Sequence, residues 1–141
     1  MAPTEQRMIY DPIRKKEVPL TPEERVRQAV VHLLTHQLDY PPTLIANEYT
    51  ITVGKLSRRC DTVVFTPQLQ PLMILEYKAP HIPLSEKVIQ QAFQYNTTLQ
   101  VPYIALSNGR QTLLYKVGYQ KQPSTPLPGI PSYQQLLQSL R

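Results

Sequence analysis

The chain has 141 residues, a net charge of +5 and a pI near 9.4, with 41% hydrophobic residues. That length fits one domain able to bury about two thirds of its unfolded surface, and leaves no room for a second independent core. A single cysteine, Cys60, rules out an intramolecular disulfide, and no apolar run reaches the roughly 18 residues a membrane span needs, so a soluble, cytoplasmic protein is expected. The basic balance is compatible with a polyanionic partner without identifying one.

Residues 1–20 carry Arg7, Arg14, Lys15 and Lys16 among Pro3, Pro12 and Pro19 without a sustained period, and read as an N-terminal arm. Thr21-Pro22-Glu23-Glu24 is a helix start: Thr21 as N-cap, Pro22 at the first helical position, Glu24 where a capping box needs its carboxylate. The helix is expected to run to about Leu38, with Val26, Val30, Leu33, Leu34 and Leu38 on its inward face and His32 and His36 in solvent. His32 and His36 have the spacing of two helical metal ligands, but Leu33 stands where a zinc protease requires glutamate.

Tyr40-Pro41-Pro42 stops that helix, and strands follow: Leu44–Val53, Cys60–Thr66 and Leu72–Lys78, joined by links short enough for an antiparallel meander. Ser85-Glu86-Lys87 opens a second helix to about Leu99, with Val88, Ala92, Tyr95 and Leu99 inward. Tyr103–Ser107 and Gln111–Val117 form a hairpin around Asn108-Gly109. Residues 118–141 read as a Pro- and Gln-rich connection ending in a short helix capped by Ser132, which docks on the sheet or pairs with a second subunit.

The chemistry concentrates at the end of the apolar run Leu72-Met73-Ile74-Leu75, where Glu76 and Lys78 point to one face of a strand. Charges at a buried strand end need a partner or a purpose. Asp61, at the head of Thr62-Val63-Val64-Phe65 one hairpin upstream, supplies a second carboxylate. Phosphodiester hydrolysis needs a polarised phosphorus, an activated water and relief of charge on the leaving oxygen, which bound Mg²⁺ provides. Asp61 and Glu76 are suitable hard ligands, and a strand carbonyl such as that of Tyr77 can complete such a site. Lys78 can orient water, act as a base or offset charge. The competing reading is an ordinary salt bridge between Glu76 and Lys78, which leaves Asp61 unexplained. Cys60 reads as a small packed residue.

Asp61 followed by Glu76-Tyr77-Lys78 resembles the PD-(D/E)XK nuclease superfamily, and the larger string is similar to the N-terminal nuclease domain of type I restriction enzyme R subunits. The pieces are Thr21 to Gln28, Arg59-Cys60-Asp61-Thr62-Val63-Val64, Leu75-Glu76-Tyr77-Lys78-Ala79-Pro80, Gln91 with Tyr95, and Ser107-Asn108-Gly109, within a domain spanning 21–117. Cys60 replaces the proline of the superfamily's name. The resemblance implies an α/β, restriction-endonuclease-like fold, with a mixed central sheet flanked by helices. It also implies a metal-dependent nuclease acting on DNA with Mg²⁺ (Mn²⁺ as a substitute), with Asp61 and Glu76 on the metal and Lys78 beside them. Members also bring an acid from the first helix, for which Glu23 is favoured over Glu24 because it shares the stripe of Val26 and Val30. Gln91 and Tyr95 match the Gln-x-x-x-Tyr element of RecB-type nucleases and would support substrate. The alternative is a non-autonomous nucleic-acid-binding or assembly module with the same fold that needs partner subunits, and either reading leaves room for a homodimer. The chain has no P-loop, so any ATP-driven motor lies elsewhere.

Overall fold

A computed structural model describes residues 6–140, apart from the side chains of Thr97 and Thr98. Within the segment expected to be an arm, β1 (Met8–Asp11) and β2 (Lys16–Pro19) pair as an antiparallel hairpin. This corrects the expectation for residues 8–19; residues 1–5, with Pro3, lie outside the described part. Asp11 explains the difference. It is 1% exposed, accepts hydrogen bonds from Ile13 N (2.8 Å) and Asn47 Nδ2 (3.0 Å), and pairs with Arg14. Such long-range polar contacts leave no periodic trace in the sequence.

Helix α1 (Pro22–His36) begins as expected, with Thr21 Oγ1 accepting from Glu24 N at 3.0 Å. Strands β3 (Ile45–Val53), β4 (Leu56–Phe65) and β5 (Pro71–Tyr77) form the antiparallel meander. Helix α2 (Glu86–Leu99) carries the chain to β6 (Tyr103–Ser107), which lies parallel to β5, and β7 (Thr112–Lys116) returns antiparallel. A long crossover is what a parallel neighbour requires, and α2 supplies it. A further strand, β8 (Thr125–Leu127), extends the sheet within the stretch expected to be an irregular connection. Pro126 is tolerated there because an edge strand has a side that needs no amide. Helix α3 (Tyr133–Gln138), capped by Ser132, docks: Leu136 is 1% exposed and Tyr133 donates to the Phe65 carbonyl at 2.7 Å.

The sheet order is β3-β4-β5-β6-β7-β8. On one face α1 and α3 bury Val26, Val30, Leu34, Tyr133 and Leu136 against Val64, Met73, Leu75 and Tyr103. On the other face α2 covers Ile104 and Leu106 through Ala92, Val88 and Phe93, while Cys60, Val63 and Ile74 pack with Leu99 and Val101. His32 and His36 are exposed, with stacked rings 4.0 Å apart. Among the described residues no helix is long and apolar enough to cross a membrane.

Candidate active site

Alternation along β3 and β4 slips by one residue at a single level of the sheet. Ile45, Thr62 and Val64 belong to the α1 face, whereas Ile51 and Cys60, of the same parity, belong to the α2 face. The slip falls at Glu48 and Asp61, which stand opposite each other and are the pair missing from the β3–β4 register. Glu48 has φ of 55°, a left-handed conformation that a strand residue adopts only when its surroundings enforce it. Arg27 does so: its Nη2 reaches Glu48 Oε1 at 2.7 Å and its Nη1 donates to the Asp61 carbonyl at 2.5 Å. With its carbonyl held by α1, Asp61 directs its carboxylate toward β5, where Oδ2 accepts from Tyr77 N at 2.9 Å.

Glu76 thereby meets Asp61, and the two carboxylates share a hydrogen bond. Burial pushes the Glu76 carboxyl up to about 8, reinforced by the charge and hydrogen bond of Asp61, while Arg58 and Lys78 act in the opposite direction. Tyr77 anchors the strand between Glu76 and Lys78 from behind: its hydroxyl donates to Thr62 Oγ1 (2.9 Å), which donates to Asn47 Oδ1 (2.8 Å), whose amide reaches Asp11. Lys78 N donates to the Ser107 carbonyl at 2.9 Å, and Asn108 Nδ2 holds the following loop through Ile82 O at 2.8 Å. Gly109, with φ of +84°, passes so close to α1 that a Cβ would meet Val26 Cγ2 at 3.3 Å.

Glu76, Lys78, Gln91 and Tyr95 line one cleft between β5 and α2, together with Arg58, Val88, Ala92 and Leu106. Tyr95 is 51% exposed, which corrects the expectation that it lies on the inward stripe. Asn96 takes the inward place instead, bonded to both N and O of Val101 across the left-handed residue Gln100. The first helix also differs from expectation. Glu23 is exposed, and Glu24 is the buried acid, held by Arg14 (2.6 Å), Arg27 (3.0 Å) and Gln28 (3.1 Å). A buried carboxylate needs cations, and Glu24 meets two, Arg27 one turn along α1 and Arg14 from the β1–β2 turn. The capping box is absent because the Thr21 amide already donates to Pro19 O. Cys60 is fully buried and its thiol is pushed up to about 12, chiefly by burial, so it is inert as a nucleophile.

Arg58 was not singled out from the sequence, where it is one of two adjacent arginines; only the slip in β4 shows that it, rather than Arg59, enters the cleft. Its Nη2 lies 3.7 Å from Glu76 Oε1, and its guanidinium carbon stands 3.5 Å from the centroid of the Tyr95 ring. Arg59 pairs instead with Glu48 at 2.8 Å. Among the described residues no three His, Cys, Asp or Glu side chains gather at metal-ligating range.

Residues 22–131 match the family model described as the type I restriction enzyme R protein N terminus. The chain belongs to that family. Two solved structures share the restriction-endonuclease-like fold of this family member. One is a fragment described as a candidate HsdR subunit of a type I restriction enzyme from Vibrio vulnificus YJ016, at 21% identity and a TM-score of 0.60 over 86% of this chain and 25% of that one. The other is described as a candidate nuclease of DUF820 from Anabaena variabilis ATCC 29413, at 14% identity and a TM-score of 0.54 over 98% and 88% of the two chains. This chain thus spans about a quarter of the length of the HsdR fragment. No curated protein matches it.

Proposed function

We propose that this R-protein N-terminal domain is a metal-dependent nuclease that hydrolyses DNA phosphodiester bonds, with Asp61 and Glu76 as the metal ligands. The contact between those two carboxylates at a partly buried strand end carries the reading. Two carboxylates so placed repel unless a proton or a cation sits between them. Their hard oxygens suit Mg²⁺, which keeps several waters and so needs few protein ligands. When bound, the ion supplies Lewis-acid polarisation of the phosphate and activation of water.

Asp61 is oriented for ligation by Tyr77 N and by the Arg27 hold on its carbonyl. Glu76 would hold the cation through its carboxylate, giving up its proton to do so. Lys78, on the same face, places a positive charge beside the attacked phosphate, and Gln91 and Tyr95 line the approach for the substrate backbone. Glu24, saturated by two arginines and Gln28, acts on Asp61 through Arg27 rather than as a ligand.

The test is Mg²⁺- or Mn²⁺-dependent cleavage of plasmid, branched and single-stranded DNA. Asp61→Asn and Lys78→Ala are expected to reduce it at least about a hundredfold while circular dichroism stays unchanged. A wild-type protein inert on every substrate, with partner subunits supplied, contradicts the proposal. The chain's quarter share of the HsdR fragment favours a second reading, in which cleavage depends on partner subunits. Metal binding lost in Asp61→Asn, without cleavage by the isolated domain, selects that reading.

A further inference from the structure

Two arginines flank the carboxylate pair, and they differ in how fully their donors are used. Arg27 is 7% exposed and each of its nitrogens is engaged: Nε and Nη2 bind Glu24, Nη2 also reaches Glu48, and Nη1 holds the Asp61 carbonyl. It is a brace. Arg58 stands 3.7 Å from Glu76, too far for a hydrogen bond, and rests on Tyr95. Its Nε is, among the described residues, the buried side-chain polar atom without a hydrogen-bond partner. An orphaned buried donor in a functional cleft calls for an explanation.

The chemistry of the group supplies one. A guanidinium is permanently charged and presents a planar fork that matches phosphate oxygens. It shares the cleft with Glu76, Lys78 and Gln91, where a substrate backbone would pass. A divalent ion on Glu76 would repel it, because both cations would then compete for one carboxylate. Tyr95 remains as a rail, since cation–π attraction to its ring does not depend on Glu76.

We propose that Arg58 is a substrate-positioning residue held in reserve: it partners Glu76 until a divalent cation displaces it, and the released guanidinium then binds the DNA phosphate from its place on Tyr95. The proposal rests on Asp61 and Glu76 being the metal ligands. Calorimetric titration with Mn²⁺, without DNA, compares wild type with Arg58→Met and Arg58→Gln. Removing the competitor is expected to tighten Mn²⁺ binding about fivefold in both. Fluorescence anisotropy with a labelled duplex in Ca²⁺ is expected to show roughly tenfold weaker DNA binding by both variants, because a charged hydrogen-bonding partner of the phosphate is gone. Unchanged or weaker Mn²⁺ binding in the folded variants, or unchanged duplex affinity, overturns the proposal, and Arg58→Gln alone decides if the methionine variant does not fold. Asp61→Asn is the control: if it leaves the wild-type Mn²⁺ isotherm unaltered, the metal reading itself fails along with Arg58's role.

Discussion

Glu76 is the residue at which fold stability and chemistry oppose each other. Its folded pKa, near 8, lies above the ordinary value of 4.5, so the folded state holds a proton that the unfolded state releases. Below about pH 4.5 the group is protonated in both states; as pH rises toward 8 the unfolded state increasingly gains from ionisation and stability falls. Glu76→Gln removes that term. At pH 8 and without divalent cations, the variant is expected to be more stable than wild type by at least about 1 kcal/mol, roughly 3–5 °C in Tm for a domain of this size. Equal melting temperatures at pH 5 and pH 8 for both proteins would argue against a strained carboxylate pair. On the proposed metal reading the same proton would make binding pH-dependent: Mn²⁺ affinity is expected to rise from pH 6 to about 8 and then level off, with proton release measurable by calorimetry in buffers of different ionisation enthalpy.

At the scale of elements, the slip in β3 and β4 and the hairpin β1–β2 are joined through α1. Arg27 ties α1 to Glu48 and Asp61, and Glu24 ties α1 to Arg14 of the hairpin. Asp11 completes the link: burial opposes its ionisation, but hydrogen bonds from Arg14, Asn47 and Ile13 outweigh it and hold its pKa below 3.8. That stabilisation is present above the unfolded pKa and is lost as pH falls below about 4. Asp11→Ala is expected to cost about 3 kcal/mol in urea denaturation at pH 7, because it leaves Arg14 and Asn47 with broken partnerships, and to cost much less at pH 2.5. A comparison on α1 separates its two acids: Glu24→Ala is expected to lose about 3 kcal/mol, Glu23→Ala less than about 0.5. These ties explain what the sequence showed and what it hid. Periodicity and caps revealed α1, α2 and the meander, since apolar spacing and Thr21 or Ser85 act locally. The hairpin, the slip at Glu48 and the inward turn of Glu24 depend on arginine contacts between residues 10 to 34 positions apart, which have no local signature.

For the whole molecule, the matched family segment ends at residue 131, yet the core does not. Tyr133 and Leu136 complete the α1 face, and the Tyr40 hydroxyl donates to the Pro131 carbonyl at 3.0 Å. Leu136→Ala is expected to cost about 2–5 kcal/mol by thermal or urea unfolding, as for any fully buried leucine, which would mark α3 as part of the domain rather than an appended tail. The proposed nuclease cleft is on the opposite face, where α2 lies across from Glu76. Strand alternation put Glu76 and Lys78 on one face, whereas Asp61, Gln91 and Tyr95 joined them through the family resemblance. The sequence could not separate Arg58 from Arg59, because the face each occupies follows from the slip.

The most direct test of the central claim is a crystal of the domain soaked in Mn²⁺ and measured at the manganese absorption edge. An anomalous peak is expected within roughly 2.0–2.4 Å of carboxylate oxygens of both Asp61 and Glu76, with Lys78 beside it, absent from crystals of Asp61→Asn. No peak between those carboxylates at saturating Mn²⁺, with Glu76 still hydrogen-bonded to Asp61, would contradict the claim.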